Sequence, residues 1–260
     1  MDVRGKASRL SDEDRHRLAA SFDSAADLYD RARPGYAHEA LTWLLPATAH
    51  RVLDLGAGTG KLTASLVTRG LDVVAVEPSS AMRAHLTARL STVDARDGTA
   101  EATGLPDNDV DAVVIGAALH WFDRPAADHE IARVLRSGGV VGVLANKRDT
   151  RPAWASALDN LLDERFTELA RSPRSTDYAT FDPELFTPPV YVEFPYSQSV
   201  DAEGLAEVVA SRSYVIDMDD KERAELMAAT RELARTHPDL AGRETFEIPY
   251  LTVAVRSFRR

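Results

Sequence analysis

Apolar and polar positions along this chain change period in a regular way. From Arg51 onward, short apolar runs alternate with stretches of helical spacing. "RVLDL" (51–55) predicts a buried strand, and "GKLTASLVTRG" (60–70) predicts a helix that Gly70 closes. "LDVVAVE" (71–77) reads as a second strand, and "PSSAMRAHLTARL" (78–90) as a helix with Pro78 near its start. "TVDARDG" (92–98) is a weaker strand and "VDAVVIGAAL" (110–119) a strong one. "PAADHEIARVLRSGG" (125–139) predicts a helix, again closed by glycine, and "VVGVLANK" (140–147) a strand. Such alternation implies right-handed crossovers and a parallel sheet.

Both flanks depart from that rhythm. Ahead of it, Phe22, Ala25, Ala26 and Tyr29 recur at helical spacing until Pro34 and Gly35 break the helix, and a short helix is expected over 38–45. After Lys147 come an amphipathic helix (154–170), a loop containing Pro and Ser (171–189), a strand (190–199), helices over 202–211 and 219–236, and a long last strand (245–258). There is no internal repeat. The expected organisation is an N-terminal helical segment (1–50), an alternating strand–helix core (51–147), a helical region carrying one core strand (148–240), and the last strand (241–260).

Composition narrows the partners. With 260 residues, 44% hydrophobic and 28% charged, the chain can bury one sizeable core. A formal net charge of -10 repels phosphate backbones, so nucleic acid is not an expected partner. The absence of cysteine excludes disulfides and cysteine-ligated metals. The first 20 residues are polar, and no apolar run approaches the roughly 20 residues that span a bilayer. A cytoplasmic protein with no membrane partner is expected. Nothing in the sequence sets an oligomeric state.

Three kinds of protein place a ligand on a turn like "DLGAGTGK". A P-loop requires glycine at 55 and a hydroxyl at 62, where this chain has Leu55 and Leu62. A dinucleotide fingerprint fits Gly56 and Gly58, but its third glycine falls on Lys61. The remaining pattern is Asp54-x-Gly56-x-Gly58-x-Gly60. It gives a turn without side chains where a ligand lies against the backbone, beside an acid at the strand end. Glu77 ends the second strand, where a carboxylate can accept hydrogen bonds from both ribose hydroxyls of an adenosine.

The glycine pattern resembles motif I of the class I S-adenosylmethionine-dependent methyltransferases. "GTAEATGLP" (98–106) resembles the segment before the fourth strand in the type-11 group of that class. "AALHWFD" (117–123), "FDSAADLYDRARPGY" (22–36) and "IPYLTVAVRSF" (248–258) resemble the branch that includes trans-aconitate methyltransferase-like proteins. The resemblance implies a doubly wound, mostly parallel, seven-stranded Rossmann-like sheet with its last strand antiparallel and a helical lid insertion. It implies S-adenosylmethionine as cofactor, against the turn at Asp54, Gly56, Ala57 and Gly58. Glu77, Pro78 and Met82 would follow at the ribose, and Thr99, Ala100 and Glu101 at the adenine end. Tyr29 and Arg33 would close over the methionine end, Arg33 by a charge-assisted bond to its carboxylate. Ala117 and Trp121 would complete the cofactor site.

The acceptor is expected to be a small molecule. His120 follows the fourth strand and is the candidate general base, since imidazole titrates near neutrality. Tyr36, Arg212, Tyr214 and Tyr250 are candidate acceptor contacts. Asp123, Asp128, His129 and Glu130 do not converge on one helical face, so they read as a solvated helix and no metal is expected. Two alternatives remain open: an NAD-dependent oxidoreductase, and a protein of this fold that binds without catalysing.

Overall fold

The computed structural model describes residues 28, 30–163, 179–216 and 218–260, without the side chains of 163, 213 and 214. A seven-stranded sheet runs in the order β3-β2-β1-β4-β5-β7-β6. Its strands are β1 (Arg51–Leu55), β2 (Asp72–Val76), β3 (Asp94–Arg96), β4 (Val110–Gly116), β5 (Leu135–Arg148), β6 (Val190–Val200) and β7 (Phe246–Phe258). β1 to β5 are parallel, and β7 is antiparallel to both β5 and β6. This is the doubly wound, mostly parallel architecture that the alternating pattern predicts. The chain winds outward from β1 to β3, then restarts at β4 on the other side of β1. Ligands of such sheets bind at the carboxyl ends of the strands where the order reverses.

The helices are α1 (His38–Leu44), α2 (Lys61–Thr68), α3 (Ser80–Arg89), α4 (Arg124–Val134), α5 (Ala153–Asp163), α6 (Ala202–Ala210), α7 (Ser213–Ile216) and α8 (Asp220–Thr236). Gly70 (φ 78°) closes α2 as expected. Its N–H donates to Val67 O, while the Leu71 N–H donates to Leu66 O, the paired bonds of a Schellman cap.

Adjacent strand residues face opposite sides, so each strand feeds two cores. On one face Leu53, Val113, Val141 and Val253 pack with α4 and with Phe181 and Phe186. On the other face Val52, Val114, Leu144 and Ala254 pack with Leu41, Leu44, Leu62 and Leu66 of α1 and α2. Fully burying one such Leu contributes about 1.5–3 kcal/mol. Farther along that second face, Phe246, Ile248 and Tyr250 of β7 carry Trp154, Leu158, Leu205 and Leu226 of the helical insertion.

Four expectations change. The helix expected to end on glycine ends at Val134, and β5 begins at once with Leu135. Val134 and Leu135 are consecutive and both fully buried, which suits a strand better than one helical face, and Leu135 pairs with Val110. β4 stops at Gly116 instead of 119, because Ala117 (φ 55°) turns the chain into a 3-10 turn, Leu119–Trp121. The acids of α4 are not all solvated. Asp128 and Glu130 are buried, where Arg124 pairs with Asp128 (3.0 Å) and Arg133 with Glu130 (2.7 Å). α7 carries no sequence signal and follows Arg212 directly. The expected helices over 22–33 and 154–170 lie partly outside the described residues.

Candidate active site

Asp54, the next-to-last residue of β1, has no exposed surface. Its Oδ2 accepts a 2.6 Å hydrogen bond from the Thr63 hydroxyl, and its Oδ1 is buried with no hydrogen-bond partner among the described residues. Burial pushes this carboxyl up to about 7. The Thr63 bond opposes the shift, and the charge of Glu77 adds to it. The turn is then tied to β2: the N–H groups of Gly56 and Ala57 both donate to Val76 O, at 2.9 and 3.1 Å.

Glu77 is the clamp of this turn. One of its oxygens accepts from the Gly58 N–H and the other from the Ser79 N–H, each at 2.9 Å. Ser79 in turn caps α3 by accepting from the Met82 N–H. Arg83 donates to Glu77 O at 2.6 Å and pairs with Asp97 at 3.0 Å. Sequence reasoning gave Glu77 to a ribose alone and did not name Thr63 or Arg83.

All three glycines have positive φ, but for different reasons. A Cβ at Gly56 would lie 2.6 Å from Ala118 Cβ, and one at Gly60 would lie 2.8 Å from Leu86 Cγ. Packing against the chain itself excludes side chains at both. At Gly58 the nearest neighbour would be the Met82 sulfur at 3.8 Å, so this glycine leaves open space over the turn. The expectation that ligand approach explains all three glycines is therefore corrected: it fits Gly58.

The far wall comes from two short turns. Thr99 and Ala102 exchange backbone hydrogen bonds of 3.2 Å, which buries Ala100. Glu101 accepts from the Asp123 N–H at 2.8 Å and so joins this turn to the start of α4. Trp121 packs on the edge of the core, and its ring centroid lies 4.6 Å from that of His120. Pro78, at the rim, is exposed.

His120 is an exposed residue of the turn after β4, with its ring against that of Trp121. Desolvation lowers its pKa to about 4, and the positive charge of Arg33 adds to that. The imidazole is neutral at pH 7.

A second wall is assembled from distant parts of the chain. Residues 30–37 cross the sheet end as a strap. Asp30 accepts from the Thr59 hydroxyl at 2.8 Å and pairs with Arg89 at 3.1 Å, which fastens the strap to the glycine turn. Arg33 donates to Ser211 O (2.9 Å), Gln198 to Ala32 O (3.1 Å), and Asn146 to Gly35 O (2.6 Å). The Ala37 N–H donates to the Thr252 hydroxyl, which donates to Asn146 Oδ1 at 2.7 Å. Tyr36 lies over the end of β4: a Cβ at Gly116 would meet its hydroxyl at 2.8 Å.

Beneath the strap, Arg148, Tyr250 and Tyr196 stand directly opposite one another across β5, β7 and β6, on one sheet face. Arg148 is almost fully buried and ion-paired with Asp159 of α5. The two tyrosine rings have centroids 6.3 Å apart. Burial raises the pKa of the Tyr250 phenol, while Arg148, Arg212 and Arg33 act against the rise.

The structure thus gathers Asp54, Gly56, Ala57, Gly58, Glu77 and Met82 at one end of the site. Arg33, Tyr36, His120, Arg212 and Tyr250 gather toward the other. Tyr29 and the Tyr214 side chain lie outside the described residues. Among the described residues, no group of three or more His, Asp or Glu side chains could hold a metal, and no helix is long and apolar enough to cross a membrane.

Comparison with known proteins identifies the class. Residues 53–143 match a family model described as a methyltransferase domain. An uncharacterized methyltransferase of Mycobacterium tuberculosis is 44% identical over 243 residues, covering 94% of this chain and 97% of its own. An uncharacterized methyltransferase-like protein of Schizosaccharomyces pombe is 31% identical over 235 residues, covering 88% and 91%. The structure of an inferred type II methyltransferase from Anaeromyxobacter dehalogenans shares the fold, with TM-score 0.59 and 24% identity over 87% of this chain and 96% of that one. The chain belongs to this methyltransferase family, and S-adenosylmethionine is its methyl donor.

Proposed function

We propose that this methyltransferase transfers the methyl group to a small molecule held between the end of β4 and the sheet face under the strap. The acceptor offers a carboxylate, hydroxyl or carbon nucleophile. Membership of the branch that residues 22–36 and 117–123 resemble is part of the same proposal. The observation that carries it is the turn at the β1–β4 switch point: Gly58 leaves open space over it, its N–H is held by Glu77, and Asp54 lies buried at the end of β1.

The residues present fit the cofactor. The buried, unpartnered Oδ1 of Asp54 suits a cationic ammonium group, and an ionised Asp54 is favoured once such a cation arrives. Glu77 holds the turn and presents its carboxylate to the ribose hydroxyls. Arg33, with Tyr29, closes on the methionine carboxylate, and the strap carrying Arg33 keeps water out. Pro78, Met82, Thr99, Ala100, Glu101, Ala117 and Trp121 enclose the adenosine. When bound, S-adenosylmethionine supplies an electrophilic methyl carbon: the acceptor's electron pair takes it, and the sulfur leaves as a neutral thioether with the electrons of the broken C–S bond.

In this reading His120 orients the acceptor, to which its neutral imidazole can donate a hydrogen bond. With a pKa of about 4 it is a weak base at neutral pH, since a base works best with a pKa near the operating pH. This favours a nucleophile that arrives already ionised, such as a carboxylate. The net charge of -10 favours a small acceptor over nucleic acid.

Calorimetric titration with S-adenosylhomocysteine, NAD and ATP tests the cofactor site. Saturable binding of S-adenosylhomocysteine alone is expected. Binding of NAD instead would overturn the proposal and favour an oxidoreductase. A protein that binds S-adenosylhomocysteine yet methylates nothing in a broad acceptor screen would be a non-catalytic member of the fold.

A further inference from the structure

We infer that Thr63 is a positioning residue for the cofactor: its hydroxyl holds one carboxylate oxygen of Asp54 and so leaves the other for the ammonium group of the methionine moiety. This rests on the proposed reading in taking that ammonium as the partner of Asp54. The contact between the two side chains stands without it.

Strand alternation puts Asp54 on the same sheet face as Val52, which packs with Leu62 and Leu66 of α2. Its register partners are Ala75 of β2 and Val114 of β4, so Asp54 sits in the middle of the sheet. A carboxyl in that place costs free energy unless its oxygens are satisfied. Thr63 satisfies Oδ2 at 2.6 Å, whereas Oδ1 is buried without a hydrogen-bond partner among the described residues. An orphaned buried oxygen needs a physical reason, and a cationic ligand supplies one.

The other hydroxyls of α2 behave differently from that of Thr63. Ser65 donates to Lys61 O and Thr68 to Ala64 O, in each case the carbonyl four residues back. Thr63 is fully buried, and its hydroxyl crosses to β1 instead. A β-branched side chain in a helix has few χ1 choices, so the donor stands at a fixed place and limits the rotation of the carboxyl it holds.

The same contact governs charge. Burial pushes the Asp54 carboxyl up to about 7, and the hydroxyl and backbone of Thr63 work against that rise. Among the described residues, Glu77 just after β2 is the charged group that acts on Asp54, and it adds to the rise. A donor on Oδ2 favours the ionised carboxylate that a cation needs. Near pH 7 the unliganded carboxyl is about half protonated, and it gives that proton to solvent as the ammonium binds. Without the hydroxyl, Asp54 keeps its proton to higher pH.

The test uses the full chain. Thr63→Val keeps the shape and removes the hydroxyl, and Thr63→Ser restores it. Calorimetric titration with S-adenosylhomocysteine at pH 6, 7 and 8.5, in two buffers of different ionisation enthalpy, gives affinity and protons released. Losing the bond should move the carboxyl up by about one pH unit, so release at pH 7 should rise from about half a proton to nearly one. Affinity of Thr63→Val should fall about tenfold at pH 6 and stay within about twofold at pH 8.5, with Thr63→Ser near the wild type. Lost packing would weaken binding equally at every pH. If Thr63→Val does not fold, Thr63→Ala takes its place. Equal weakening at all three pH values, an unchanged profile, or no recovery in Thr63→Ser overturns the role of Thr63, as does wild-type binding that ignores pH. Failure to bind S-adenosylhomocysteine at all overturns the methyl-transfer reading instead. Carbon NMR titration of the Asp54 carboxyl in the unliganded variants then still judges the contact, and an unshifted midpoint in Thr63→Val overturns it.

Discussion

The two ends of this site are built in opposite ways. The cofactor end is local: Asp54 to Lys61 and Val76 to Met82 are two short strand-to-helix turns joined by backbone hydrogen bonds and one carboxylate. The acceptor end is assembled from side chains more than 100 residues apart, such as Asn146 with Gly35, Thr252 with Ala37 and Arg33 with Ser211. A backbone cradle tolerates few substitutions, because its geometry is its chemistry. A wall of side chains can change its ligand by changing one residue. The comparison teaches that the proposed donor site is written into the sheet edge and the proposed acceptor site into what is laid over it.

The comparison can be broken from either side. The largest effect is expected at Gly56. Gly56→Ala puts a Cβ 2.6 Å from Ala118 in a left-handed backbone, and should cost about 3 kcal/mol in denaturant unfolding. Gly58→Ala, with room for its Cβ, should cost only about 1 kcal/mol of stability. Equal costs would mean that packing does not separate the two glycines.

Glu77→Ala comes next. It removes the proposed ribose acceptor together with the partners of the Gly58 and Ser79 N–H groups, so affinity for S-adenosylhomocysteine should fall roughly a hundredfold, about 2.7 kcal/mol. Full affinity in calorimetry would separate the clamp from the cofactor.

Asp54 makes binding depend on pH. Its native pKa of about 7 lies above the unfolded value of 3.8, so the native state holds the extra proton. Stability is fully present below the unfolded value and falls as pH rises toward 7. A bound ammonium favours the ionised form, so S-adenosylhomocysteine should bind more weakly as pH drops below about 7. The slope should approach tenfold per unit, and Asp54→Asn should flatten it. A flat wild-type profile would place the ammonium elsewhere.

The smallest expected effect tests the strap. Thr252→Val leaves the Ala37 N–H and Asn146 Oδ1 without the Thr252 hydroxyl and should cost about 1–2 kcal/mol, with faster amide exchange at Ala37. Unchanged exchange would mean that the strap is held by its other contacts.

Much of this was legible along the chain. Strand-length apolar runs separated by helical spacing determine a doubly wound sheet, because a two-residue and a 3.6-residue period bury different faces. Asp54, Gly58 and Glu77 stand out along the chain because they are local: they lie at the ends of β1 and β2 and in the turn after β1. Thr63, the buried partner of Asp54, looked like any helix threonine, and Glu101 showed no link to Asp123, since neither contact has a sequence period.

What only the tertiary structure decided is which residues meet across the sheet. The sequence by itself determined the alternation of strands and helices from β1 to β5 and the residue types at the ends of β1 and β2. The end of α4 at Val134, the burial of Asp128 and Glu130, and the low pKa of His120 depend on neighbours brought in by packing. The row of Arg148, Tyr250 and Tyr196 exists only because β7 inserts antiparallel between β5 and β6. Pairing register is a long-range choice, and no spacing within 135–148, 190–200 or 246–258 encodes it alone.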